Sequence, residues 1–113
     1  MKEISNRSPL IIAPKEPFRE WARKYNELSI EDLEQRLKEI HVYLIDWSYG
    51  KNQEEALGPY FYKIFESELL SWNYIKNEWP QKMDYELFLE WFEVMIGDYL
   101  FDSGTEPIEF EKL

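Results

Sequence analysis

Two prolines three residues apart, in Pro14-Lys15-Glu16-Pro17, split the first 25 residues into two periods. Before them Leu10-Ile11-Ile12-Ala13 is short, apolar and β-branched, which favours a buried strand. After them Phe18, Trp21, Ala22 and Tyr25 fall at i, i+3, i+4 and i+7, one stripe of a helix. Pro14 cannot donate to a strand ladder, so pairing should stop there. Pro17 suits the first turn of a helix, where its missing N–H costs nothing. A chain that changes period this early, and keeps changing it, is restricted to mixed architectures.

The rest of the chain repeats the alternation. Ser29-x-x-Asp32 opens a short helix of about ten residues carrying Ile30, Leu33 and Leu37. His41-Val-Tyr-Leu-Ile-Asp-Trp47 reads as a strand that ends at the turn Ser48-Tyr-Gly-Lys-Asn52. Gln53 to Asn73 carries Leu57, Phe61, Ile64, Phe65, Leu69 and Trp72 at helical spacing, with Gly58-Pro59 loosening the first turn. Asp84 caps a helix bearing Tyr85, Phe88, Trp91 and Phe92. Val94 to Phe101 reads as a strand, and Ile108-Glu109-Phe110 as a short edge strand. The expected fold is α+β: a small three- or four-stranded sheet with helices mainly on one face. The order is β-α-α-β-α-α-β, with a further β at the end. The helices between the first two strands admit a parallel crossover. One domain is expected over residues 1–113, with residues 1–7 as a loose end.

Composition bears on which chemistry remains. The chain has no cysteine, which removes disulfides, thiolate catalysis and cysteine-ligated metals, and fits a reducing, cytoplasmic location. No apolar run is long enough to cross a membrane. The net charge is −10, distributed unevenly: residues 1–26 carry +3 and residues 27–113 carry −13. That balance repels phosphate backbones, so no nucleic-acid or membrane partner is expected. The four glycines are dispersed and form no phosphate cradle, and no metal-ligand spacing occurs, so no cofactor or metal is expected. His41 is the only histidine, and no serine lies in a Gly-x-Ser-x-Gly elbow. His41 therefore reads as a surface or packing residue at a strand edge.

Two site readings survive. Trp47 and Tyr49 at a strand exit, and Tyr74 and Trp79 in a connection, are harder to hide than Trp21, Trp72 and Trp91 on helical stripes. Exposed Trp and Tyr favour protein interfaces. Alternatively, Asp98, Glu68 and Asp102 are acids among apolar residues and could supply acid–base chemistry together with Lys15. Asp98 shares a strand face with Val94, Ile96 and Leu100, and is a buried acid if that face is the core.

The ordered set Ile12-x-Pro14-Lys15-x-Pro17-Phe18-x-x-Trp21, Val42-Tyr-Leu-Ile45, Phe65-x-x-Glu68-Leu69-x-x-Trp72, Trp79-Pro80, Phe88-x-x-Trp91-Phe92 and Phe101-Asp102 resembles a family of small, acidic, uncharacterised bacterial proteins. The resemblance spans roughly residues 10–110. It implies a bacterial cytosolic domain and transfers no activity. Gly58-Pro59 departs from the pattern, which otherwise runs as a continuous helix there. The expected function is a non-enzymatic protein-interaction or regulatory module, with Lys15, Trp47, Tyr49, Trp79, Asp98 and Asp102 as binding residues. The alternative is a small-molecule-binding protein or carboxylate enzyme using Asp98, Glu68 and Asp102. A homo-oligomer is compatible with either.

Overall fold

A computed structural model describes residues 1–113. The chain is α+β. Strand β2 (Arg7–Pro14) is the centre of a three-stranded sheet, with β3 (His41–Asp46) on one side and β4 (Phe92–Ile96) on the other. Between β2 and β3 lie helices α1 (Glu16–Ala22) and α2 (Ile30–Arg36). Between β3 and β4 lie α3 (Gln53–Leu57), α4 (Phe61–Leu70), a 3-10 turn (Lys76–Glu78) and α5 (Tyr85–Trp91). Outside the sheet, β1 (Lys2–Glu3) pairs with β5 (Phe101–Asp102).

Both neighbours of β2 are antiparallel to it, which corrects the expected parallel option. Ile12 sits opposite His41, so β3 starts beside the end of β2. Helices α1 and α2 thus go out and come back at one end of the sheet instead of crossing it. The crossing falls to α3–α5, because β3 and β4 point the same way with β2 between them. That passage runs over one face only. Ser8, Leu10 and Ile12 of β2, Ile45 of β3 and Phe92 of β4 are buried under it.

The strand boundaries differ from those read in the sequence at both ends. Part of the expected loose end is tied down: Lys2 and Glu3 lie opposite Asp102 and Phe101, Ile4 N–H donates to Leu100 C=O at 2.8 Å, and Arg7 begins β2. The pairing partner is about a hundred residues away, and local pattern carries no trace of it. At the other end, β4 starts at Phe92 with no loop after α5 and stops at Ile96. Ile108–Phe110 forms no strand and is exposed. The long helical pattern is broken into α3 and α4 at Gly58-Pro59-Tyr60.

Pro9 explains why β4 stops. In an antiparallel hydrogen-bonded pair each residue gives its N–H and takes the other's. Gly97 N–H donates to Pro9 C=O at 2.9 Å, but Pro9 has no N–H to return. The ring also fills the space above Gly97, where a Cβ would lie 2.6 Å from Pro9 Cγ. Gly97→Ala is therefore expected to cost about 1–2 kcal/mol by overpacking against a rigid ring, seen as a lower urea midpoint with unchanged slope.

The caps expected at Ser29 and Asp84 are present. Ser29 Oγ accepts from Asp32 N–H at 3.2 Å, and Asp84 Oδ1 from Leu87 N–H at 2.9 Å. The Leu87 N–H holds the Asp84 carboxyl below its usual range. Aromatic rings cluster at the centre of the core. Phe65, fully buried, has ring centroids of Phe88, Trp91 and Phe92 within 5.6–5.7 Å.

Candidate functional site

The turn after β3 is built from the inside. Ser8 is fully buried, and its Oγ accepts from Ser48 N–H at 2.9 Å, which pins the chain just past the strand. Lys51 N–H then donates to Ser48 C=O at 3.0 Å, and Gly50 takes φ +84, a left-handed conformation that L side chains rarely adopt. With Ser48 turned inward, Trp47 and Tyr49 are about half exposed. Their rings stack at 5.9 Å and 14°. Tyr99, beyond the end of β4, continues the row at 5.7 Å from Tyr49. The three rings form a surface ladder drawn from two chain segments, the turn after β3 and the stretch after β4.

Charge surrounds the ladder. Trp47 and Tyr99 line a recess of about 370 Å³ with Glu3, Ile4, Ser5, Arg7 and Asp98. Arg7 lies 3.8 Å from Asp46. The Tyr99 phenol is pushed up by the neighbouring Tyr49 phenol, then by burial, and further by Glu3 and Asp98. Glu3 and Asp98 share the recess with the Trp47 and Tyr99 rings.

Trp79 does not join this surface. It is buried, and its Nε1–H donates to Asn73 C=O at 2.7 Å. The indole found its polar partner inside a local turn, so it packs where the sequence left it outside. Asp98 is exposed: β4 ends two residues earlier, and the face it was to share with Val94 and Ile96 does not extend that far. Asp102 Oδ1 accepts from Gly104 N–H at 2.9 Å and shapes a turn. Lys15 also has a structural task. Its N–H donates to Trp91 C=O and its Nζ to Leu89 C=O, both at 2.8 Å. It satisfies carbonyls left over at the end of α5, which fastens the Pro14–Pro17 corner to the start of β4.

Glu68 belongs to a second constellation that the sequence reading missed. It is buried on α4, with both carboxylate oxygens 2.8–2.9 Å from His41 Nδ1. Tyr43 O–H donates to its Oε2 at 2.5 Å. His41 and Tyr43 are two residues apart on β3, hence on one face, and Glu68 interrupts an apolar helical stripe. Those two facts were the available signal. Burial pulls the His41 pKa down, but Glu68, helped by Glu39, outweighs it, and the net shift is upward. Burial and the Glu68 carboxylate both raise the Tyr43 phenol. His41 and Glu68 line a recess of about 180 Å³ that also contains Arg36, whose guanidinium lies 4.0 Å over the Trp72 ring. Asp98 lines different recesses, so the Asp98–Glu68–Asp102 grouping is not brought together.

No protein-family model, curated protein or solved structure matches this chain. The resemblance to small acidic bacterial proteins thus finds no family model behind it, and function has to be argued from geometry. No helix is long and apolar enough to cross a membrane.

Proposed function

We propose that this chain is a non-enzymatic protein-interaction module, acting in a bacterial cytoplasm, whose contact surface is the Trp47–Tyr49–Tyr99 ladder. The observation that carries this reading is a row of three half-exposed rings, Trp47 stacked on Tyr49 and Tyr49 tilted against Tyr99, held by a buried serine and a left-handed glycine. Preformed aromatic platforms of this kind lose little side-chain freedom on binding. The partner is a protein segment bearing Lys or Arg. Its cations would lie over the rings and against Glu3, Asp46 and Asp98, drawn by the −10 charge of the chain. The absence of cysteine fits a reducing compartment.

The test is affinity capture from a bacterial host, followed by calorimetric titration of the captured segment into the wild type and its variants. Trp47→Ala, and Tyr99→Ala to a smaller degree, should weaken binding, Trp47→Ala by about 30-fold or more. Their thermal midpoints should match the wild type, because neither ring is in the core. Added salt should weaken binding further. Equal retention of the partner by folded Trp47→Ala would refute the assignment.

A further inference from the structure

The sheet has a second face, and it is bare. Residues opposite one another in an antiparallel sheet point the same way. The registers place Pro9, Ile11 and Ala13 of β2 beside Leu44, Val42 and Glu93, with Met95 opposite Ile11. All helices between β3 and β4 pass over the other side. Val42, Leu44 and Met95 are accordingly 60%, 52% and 65% exposed, and Ile40 before β3 is 62% exposed. In a chain of charge −10 the middle of this face carries no charge. Charges occur only at its ends: Arg7 and Asp46 at one, Glu93 at the other.

The molecule as a whole exposes too much. Its accessible surface is 8487 Å², about 1,800 Å² above the roughly 6,700 Å² expected of a folded chain of 13.9 kDa. Its radius of gyration is 15.6 Å, against about 13 Å for this length. The exposed tail after Asp102 supplies part of that excess, and the bare sheet face supplies another part. A stable interface needs only about 800 Å² from each partner.

We propose that this face is covered by a second copy of the chain, sheet against sheet, through a two-fold axis lying between the sheets and across the strands near Ile11. The charges select that axis. An axis along the strands would set Arg7 over Arg7 of the second copy. An axis across them reverses the mate, so that Arg7 falls diagonally beside Glu93 of the second copy, and the symmetry repeats the pair. The shallow groove of Ile11, Ala13, Ile40 and Met95 then lies under the Arg7 end of the mate. The acidic helical sides point away from each other.

Light scattering should give twice the 13.9 kDa chain mass. Val42→Lys with Met95→Lys should give the single-chain mass with native circular dichroism, since both side chains point away from the core. Arg7→Glu should weaken the dimer about 10-fold, and Arg7→Glu combined with Glu93→Arg should restore it. Because the chain has no cysteine, Ile11→Cys should be joined to its mate by a short bismaleimide, and Tyr62→Cys on α4 should not. A wild-type monomer overturns the proposal. So does a monomer that dimerises only after residues 104–113 are removed, which would make the chain's own tail the cover. A dimer that survives Val42→Lys with Met95→Lys also overturns it. The ladder variants leave the mass unchanged, so this proposal and the partner reading fail separately.

Discussion

Phe65→Ala is expected to remove about 3–5 kcal/mol of stability, a large share of the roughly 5–15 kcal/mol that domains possess. Phe65 is fully buried on α4 and lies against Phe88, Trp91 and Phe92. Those three come from α5 and β4, so the ring ties the crossing helix to the far edge of the sheet. The neighbouring rings are held by two separate elements and close the hole poorly, which puts the cost toward the upper end of the range. Chemical denaturation should show the loss as a lowered midpoint. A change under about 1 kcal/mol would mean that the α4 stripe does not face the sheet as described.

Glu68→Ala is expected to cost about 3 kcal/mol. It leaves the Tyr43 hydroxyl and the His41 ring, both half-buried, without their shared acceptor. The more diagnostic variant is Glu68→Gln, read against pH. The folded pKa of His41 lies above its ordinary value, chiefly because Glu68 overcomes the opposing effect of burial. The fold therefore favours the imidazolium. That stabilisation is complete below the ordinary histidine pKa of about 6.5 and is lost as pH rises through the folded value. The chain has one histidine and no cysteine, so His41 is the side chain whose charge changes near neutral pH. Wild-type stability should fall as pH rises from about 6.5 through the raised folded pKa of His41, and Glu68→Gln should flatten the decline. Parallel slopes in the two proteins would show that the His41–Glu68 pair contributes no charge-dependent stability.

Local chemistry made much of the fold legible. Pro14 and Pro17 mark where β2 ends and α1 begins, Ser29 and Asp84 cap the helices they announce, and Val94 with Ile96 identifies the inward face of β4. What failed was long-range. Antiparallel pairing of β2 and β3 depends on α1 and α2 returning to their starting end, and no periodicity encodes that. The Lys2–Glu3 pairing and the His41–Glu68 contact join distant segments. Trp79 was misplaced because an indole with a partner nearby packs inside, and the partner is a carbonyl, invisible in side-chain pattern. Trp47 and Tyr49 were legible as exposed because a glycine turn follows a strand. Tyr99, the third ring of the ladder, was not, since only the folded sheet brings residue 99 to residue 49.

The sheet has one hub. Strands β3 and β4 bond only to β2, never to each other, and β2 is made first. During synthesis an apolar, β-branched segment must wait for Asp46, and then for Ile96, before both of its edges are occupied. Helices can form in the meantime, but the closing step joins residues more than eighty positions apart, as Ile12 and Val94 are. Closure of this sheet is accordingly expected to be slow for a chain of this size. A nascent chain truncated before residue 92 leaves one side of β2 open to any passing strand.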